Sequence, residues 1–248
     1  MNQHINFQNK LNSDLWSQDR ELHPQVKEHL IDIGTRFYNY LHIDTPLMDI
    51  LFTGSLANVN WTEYSDIDLH IIIDYDEVGI PTPELTRDFF LAKKNVWNDK
   101  RNIFIKGKPV ELYAQHVSEP HAATGQYSLM QDKWLVHPKP IEKQVDDFKV
   151  TELAHLFESL IDEVSMITDT EERFGRAVKL KDNIILLRRK SIELEGEICI
   201  GNLVFKELRN NGSLNHLFSI ISSSLDKKLS LAEHRVRKLI RQELLSIL

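Results

Sequence analysis

The spacing of apolar residues predicts a helix and two strands in the first third of the chain. Over Pro24–Leu41, apolar residues recur every three or four positions, and the proline stands where a helix begins. Residues 48–53 form a short apolar run that predicts a strand. The run Ile67–Ile73 is rich in β-branched residues and predicts a second strand, buried over most of its length.

Further along, the pattern predicts one more helix and two paired-strand segments. Residues 84–100 are predicted to be a helix with one apolar face, formed by Leu85, Phe89, Ala92 and Val96. Residues 103–105 and 110–114 flank a Lys-Gly-Lys-Pro turn, which predicts a hairpin. Residues 127–136 form either a second hairpin or a lid-like excursion. Their Tyr127 and Trp134 are expected to pack in the core, more than to stack on a base.

From residue 146 onward the spacing becomes helical. We predict helices at 147–167, 171–192, 200–210 and 213–224, and a last one from Leu231 to near the end. The prolines Pro138 and Pro140 indicate a domain boundary. The predicted organisation is a loosely attached N-terminal arm (residues 1–20), a first domain (residues 21–140) and a helical C-terminal domain (residues 141–248).

Composition is that of a globular protein. Of the 248 residues, 42% are hydrophobic and 27% are charged. No stretch reaches the length of a membrane span, and the polar start is unlike a signal peptide, so we expect a cytoplasmic protein without membrane contact. The single Cys199 is expected to be a buried, inert thiol. The formal net charge of −7 arises within residues 1–150, which gives no general case for nucleic-acid affinity.

The candidate chemistry lies at the start of the second predicted strand. Asp66 and Asp68 are two positions apart, so their side chains share one face of the strand. Two adjacent carboxylates repel each other unless a cation lies between them, and hard oxygen ligands suit Mg²⁺. Upstream, Gly54 allows the backbone to approach a phosphate, and the Ser55 hydroxyl is expected to cap a helix that begins there. The segment therefore predicts a site for Mg²⁺ and a phosphate-bearing ligand.

Two common alternatives are excluded by the residues themselves. An EF-hand needs a glycine at its sixth loop position and a closing glutamate, and this segment has neither. A P-loop needs Gly-Lys-Ser/Thr, which does not follow Gly54.

A Gly-Ser pair, a spacer of ten residues and then Asp-Ile-Asp-Leu resembles the signature of the DNA polymerase β-type nucleotidyltransferase superfamily. The resemblance implies an α+β fold in which a small mixed or antiparallel sheet is flanked by helices, here at residues 21–140. It implies two Mg²⁺ ions held by Asp66, Asp68 and a third acid on a neighbouring strand. Glu111 is the acid that fits. Gly54 and Ser55 would then seat the triphosphate of a nucleoside triphosphate.

The resemblance leaves the function open in several respects. Nucleotidyl transfer to a hydroxyl of RNA, a small molecule or a protein side chain is expected, and a nucleotide-sensing or partner-binding module with little turnover is the alternative. His70 shares the face of the aspartates, where it either contacts the site or is a hydrogen-bonded strand histidine. The oligomeric state is not predicted.

The C-terminal half adds two observations. Residues 197–212 resemble, more weakly, predicted nucleotidyltransferases of tailed bacteriophages. Two of the predicted helices are rich in basic residues, which belong either to a solvated surface or to a cationic wall over the triphosphate or an RNA-like substrate. These residues are Arg173, Arg176, Lys179, Lys181, Arg188, Arg189 and Lys190 in one helix, and His234, Arg235, Arg237, Lys238 and Arg241 in the last.

Overall fold

The structure, a computed structural model, describes residues 10–119, 125–139, 145–196 and 198–230. These residues divide into two compact units, one formed by residues 10–139 and the other by residues 145–230. The first unit combines helices with a mixed sheet, and the second contains helices only among its described residues. The α+β class predicted from the sequence is therefore confirmed.

The first unit is built on a six-stranded sheet in the order β3-β4-β2-β1-β5-β6. Strands β2 and β4 are parallel, and the other neighbouring pairs are antiparallel. The elements in chain order are α1 (Pro24–Leu41), β1 (Asp49–Thr53), a 3₁₀ turn (Ser55–Ala57), β2 (Ile67–Ile73), a second 3₁₀ turn (Tyr75–Glu77), α2 (Pro83–Lys100), β3 (Phe104–Ile105), β4 (Lys108–His116), β5 (Gln126–Ser128) and β6 (Lys133–Val136).

Helix α1 forms where the apolar spacing predicts it. Pro24 occupies the first turn, where its missing N–H costs no hydrogen bond. The helix ends at His42, whose backbone is in the left-handed region. Its buried face carries the predicted residues Val26, Leu30, Ile33, Phe37 and Leu41. This face and the central strands contribute to a single hydrophobic core.

Helix α2 has the predicted extent, but the predicted apolar face is wrong. Its buried residues are Thr86, Phe90 and Trp97, whereas Leu85 and Val96 are exposed. The buried face is therefore shifted by about one residue from the predicted face. The sequence permits either face, because Phe89 belongs to one apolar stripe and the adjacent Phe90 to another. Aromatic contacts select the second stripe: Phe90 stacks on Tyr75 with ring centroids 4.5 Å apart.

Residues 10–22 differ from the loose arm predicted for residues 1–20. Leu15 and Trp16 are buried in the core of the first unit, and Trp16 stacks on Phe52 and Trp134. A single β-bridge between Trp16 and Leu22 closes this segment. Residues 1–9 lie outside the described residues.

Residues 126–136 form the second hairpin, β5 and β6, and β5 pairs with β1. Tyr127 is buried and makes an edge contact with Trp16, so the expectation of core packing is confirmed. The Trp134 indole N–H donates to the Arg20 carbonyl at 2.8 Å. Both rings therefore take part in packing and hydrogen bonding within the first unit.

The second unit contains α3 (Asp147–Met166), α4 (Thr170–Glu195), α5 (Ile200–Asn210) and α6 (Ser213–Leu229). Asp146 and Asp169 cap α3 and α4 by accepting backbone N–H groups. Cys199 is a buried free thiol, as predicted. The helix predicted from Leu231 onward lies outside the described residues. Among the described residues, no helix combines the length and apolarity that a membrane span requires.

Several of the basic residues of α4 make local contacts. The Arg173 guanidinium donates to the Ser224 hydroxyl and the Ile167 carbonyl, and Arg188 donates to Asn202 while it lies over the Phe205 ring. Arg176 and Arg189 form ion pairs with acids four residues away on the same helix. These contacts favour a structural and solvated role for this part of α4.

Candidate metal centre

The parallel pairing of β2 and β4 brings the three predicted acids together. Asp68 lies directly beside Glu111 in the strand register, and Asp66 immediately precedes β2. One carboxylate oxygen from each of Asp66, Asp68 and Glu111 lies within 4.8 Å of the others. All three side chains are partly buried. The acidic cluster is thus formed by two adjacent strands and is capable of holding a metal ion.

Gly54 lies against this cluster. Its backbone is in the left-handed region, with φ of 76°. A Cβ atom at this position would lie 1.9 Å from Asp68 Oδ2. Antiparallel pairing places Thr53, the preceding residue, beside Asp68. Glycine is therefore required here both for the backbone conformation and for the space that the Asp68 carboxylate occupies.

Ser55 does not cap a helix, and this prediction is wrong. The helix that begins here is a single 3₁₀ turn whose N-cap is Gly54, and no side chain caps it. The Ser55 hydroxyl instead donates to the Ser65 hydroxyl oxygen at 2.8 Å. Ser65 is buried, and its oxygen also accepts the Thr62 N–H at 2.9 Å. Sequence reasoning missed Ser65, although its place directly before Asp66 was a usable signal.

The ten-residue spacer is thereby closed into a defined loop. The hydrogen bond between Ser55 and Ser65 joins its two ends, one beside Gly54 and the other beside Asp66. At its outer side the Trp61 indole N–H donates to the Lys10 carbonyl at 2.7 Å. The Trp16 indole N–H donates to the Leu56 carbonyl at 2.9 Å and fixes the 3₁₀ turn from inside the core.

Tyr113 is the second residue that sequence reasoning missed. Its hydroxyl donates to Glu111 Oε2 at 2.7 Å. Burial raises the pKa of this phenol well above its ordinary value, and the charges of Glu111, Asp68 and Asp66 raise it further. The raised pKa keeps the phenol a neutral hydrogen-bond donor near neutral pH. Its parity with Glu111 on β4 was the available sequence signal.

His70 is a hydrogen-bonded strand histidine, the alternative that the sequence favoured. Its Nδ1 lies within hydrogen-bond distance of Gln115 Oε1. The Gln115 amide N–H donates to the Glu119 carbonyl at 3.4 Å, which orients Oε1 as the acceptor and places the proton on His70 Nδ1.

A second acidic group in the first unit consists of Asp74, Asp76 and His116. Here His116 Nδ1 accepts the Tyr75 N–H at 3.0 Å, and Asp74 Oδ1 accepts the Asp76 N–H at 3.0 Å. These bonds cap the 3₁₀ turn that follows β2. The hydrogen bonds of this turn therefore explain why the three side chains lie close together.

The donor set of the first cluster fits Mg²⁺. It consists of carboxylate oxygens, which hard divalent cations prefer, and the nitrogen and sulfur ligands that favour zinc are not part of it. Three protein carboxylates also leave coordination positions for the phosphate oxygens of a substrate.

Comparisons with known proteins add little to this geometry. No family model matches the chain, and no curated protein matches it in sequence. Among solved structures, a STING-associated CdnE c-di-GMP synthase from Capnocytophaga granulosa is similar at 12% identity with a TM-score of 0.21, over 85% of this chain and 84% of that one. At this TM-score the likeness carries no weight for fold or function, so the functional conclusion rests on the residues.

Proposed function

We propose that this protein is a Mg²⁺-dependent nucleotidyltransferase that transfers a nucleoside monophosphate from a nucleoside triphosphate to an acceptor hydroxyl, with release of pyrophosphate. The observation that carries the proposal is the convergence of Asp66, Asp68 and Glu111 within 4.8 Å beside a glycine turn. The sequence resemblance to polymerase β-type nucleotidyltransferases points the same way.

In this proposal Asp66 and Asp68 hold two Mg²⁺ ions, and Glu111 shares one of them. When bound, the ions neutralise the phosphate charge and lower the pKa of the acceptor hydroxyl. These carboxylates would hold the ions at defined positions, because Asp68 and Glu111 lie side by side on the hydrogen-bonded strands β2 and β4. Such pre-organisation is what phosphoryl and nucleotidyl transfer require from a protein.

The proposed transfer is an in-line displacement at the α-phosphorus. The acceptor oxygen forms a bond to the α-phosphorus while the bond from the α-phosphorus to the α,β-bridging oxygen breaks. That bond's electron pair leaves with pyrophosphate. The acceptor proton passes to a carboxylate oxygen of Glu111, which lies at the acceptor side in this scheme.

Gly54 and Ser55 are assigned to the triphosphate. The left-handed backbone at Gly54 brings the main chain against Asp68, so a phosphate that shares the metal also meets this turn. The Ser55 hydroxyl donates its one proton to Ser65, so in this proposal Ser55 contributes its main chain to the triphosphate seat, and the bond to Ser65 positions that main chain. In this proposal both residues position the triphosphate, and neither transfers a proton.

Position-specific labels test the reaction. With Mg²⁺, α-labelled triphosphate should transfer its label to an acceptor, and γ-labelled triphosphate should release labelled pyrophosphate. RNA, small hydroxylated molecules and proteins are offered separately, since the acceptor class is open. Asp68→Asn should lose transfer, while Asp19→Asn, an exposed acid outside the cluster, should keep it. Binding of triphosphate without any pyrophosphate release would support a nucleotide-sensing module and overturn the proposal.

A further inference from the structure

The polar face of β2 and β4 extends beyond the three acids. Parallel register pairs His70 with Tyr113, two residues along each strand from the pair of Asp68 and Glu111 and on the same face. Gln115 follows on the same face of β4 and is buried. The opposite faces of both strands are apolar, with Leu69 and Leu112 fully buried. A second layer of polar residues therefore lies behind the acidic cluster.

Tyr113 connects that layer to the acids. Its hydroxyl donates to one of the two carboxylate oxygens of Glu111, Oε2, at 2.7 Å. A carboxylate has two oxygens, so the bond leaves Oε1 for a cation and restricts rotation of the group. A glutamate side chain without such a partner keeps much of its rotamer freedom, and each metal-binding event would have to remove it.

The Tyr113 ring also contacts two neighbouring side chains. Lys94 Nζ lies 4.0 Å from the ring centroid, and the His70 ring lies 5.0 Å from it, centroid to centroid. Gln115 Oε1 accepts a hydrogen bond from His70 Nδ1, and the Gln115 amide group donates to the Glu119 carbonyl. The ring and its hydroxyl are thus fixed by neighbours on β2, β4 and α2.

We propose that Tyr113 is the positioning residue of Glu111, and that its hydroxyl bond sets the affinity of the acidic cluster for divalent cations. The inference rests on the proposed metal site. It adds a residue that the sequence resemblance does not assign. Partners that orient a metal-binding side chain typically change metal affinity about 10–100-fold when they are removed.

The test uses Mn²⁺ binding, measured by electron paramagnetic resonance of the free ion, on Tyr113→Phe. This variant keeps the ring and its contacts and deletes only the hydroxyl. We expect Mn²⁺ affinity to fall about tenfold. Tyr75→Phe is the matched control: its hydroxyl also donates at 2.7 Å from a half-buried ring in the same unit, but to the Ala114 carbonyl. Its Mn²⁺ affinity should equal that of the wild type.

A double-mutant cycle shows whether the effect passes through Glu111. In a Glu111→Gln background, Tyr113→Phe should have no further effect on Mn²⁺ affinity. Equal affinity of wild type and Tyr113→Phe, or an unchanged loss in the Glu111→Gln background, would overturn the inference. Thermal melting of each variant identifies any loss caused by unfolding.

Mn²⁺ binding also separates this inference from the proposed function. Wild-type binding that Tyr113→Phe weakens, without nucleotidyl transfer to any acceptor, would uphold the positioning role and refute the transferase. Wild-type binding no stronger than that of Asp68→Asn would remove the metal site, and both proposals with it.

Discussion

A Cβ atom on Gly54 would lie 1.9 Å from Asp68 Oδ2, so the glycine and the carboxylate share one small volume. The two residues belong to the two halves of the sequence motif, which are separated by a closed loop. Their contact explains why a glycine and an aspartate at this spacing form one site. The carboxylate sits where a side chain at position 54 would otherwise be.

Gly54→Ala should therefore displace the Asp68 carboxylate. We expect nucleotidyl transfer to fall at least about 100-fold, the cost of an ångström-scale misplacement in an active site. The matched control is Gly79→Ala, since Gly79 has nearly the same φ of 78° but no atom within 4 Å of its Cβ position. Both variants place a Cβ atom at positive φ, which costs about 1–3 kcal/mol of backbone strain, and only Gly54→Ala bears the clash with Asp68. Equal activity of the two would refute the steric account.

Ser65→Ala should loosen the loop that orients Ser55. It removes the acceptor of both the Ser55 hydroxyl and the Thr62 N–H, with a loss of about 1 kcal/mol for each bond. We expect KM for the triphosphate to rise about fivefold, together with a lower melting temperature. Ser17→Ala is the control, because the Ser17 hydroxyl accepts the Glu21 N–H at an exposed site. An unchanged KM would show that Ser55 does not need this bond.

The ion pair that joins the β5–β6 hairpin to α1 should make stability depend on pH, because one of its partners is the Asp132 carboxyl. A charge-assisted bond from Lys27 and a hydrogen bond from Tyr127 hold the pKa of the Asp132 carboxyl below its ordinary value. A lowered pKa in the folded state stabilises the protein above the ordinary pKa of aspartate, and this stabilisation disappears as the pH falls through the folded-state value.

Asp132→Asn tests that linkage. Asparagine tolerates the left-handed backbone that Asp132 adopts, with φ of 54°, so the turn is preserved. Because the side chain is largely exposed, we expect a loss below about 1 kcal/mol near pH 7 in urea unfolding. The difference from wild type should shrink as the pH falls through the lowered folded-state pKa of Asp132, where the carboxyl of the wild type becomes protonated. A difference that is constant with pH would contradict the ion pair.

The local elements of the first unit were predictable from its sequence. β2 has the predicted bounds, because a run of β-branched residues between polar segments permits little else. The hairpin of β3 and β4 turns at Lys106 and Gly107, both in the left-handed region, as a tight turn with glycine requires. The position of Glu111 on β4 followed from that hairpin. Its pairing with Asp68 required the parallel register, which no local pattern encodes.

What the sequence did not reveal depends on long-range contacts. Trp16 lies in a segment without periodicity, and its burial comes from Phe52, Tyr127 and Trp134, which are distant along the chain. The buried face of α2 was missed for the same reason, since the stacking of Phe90 on Tyr75 decides between two stripes. Tyr113 and Ser65 stand at suggestive places beside Glu111 and Asp66 in the sequence, but the partners of their hydroxyl groups follow only from the fold.

In the proposed function, Asp66, Asp68 and Glu111 together bind divalent cations and a nucleoside triphosphate. The most direct test is isothermal titration calorimetry of a non-hydrolysable triphosphate with Mg²⁺ into wild type, Asp66→Asn, Asp68→Asn and Glu111→Gln. The account predicts saturable heat for wild type that disappears on omission of Mg²⁺, and a loss of affinity of about tenfold or more in each variant. Binding of equal strength in wild type and all three variants, or none in the wild type, would contradict it.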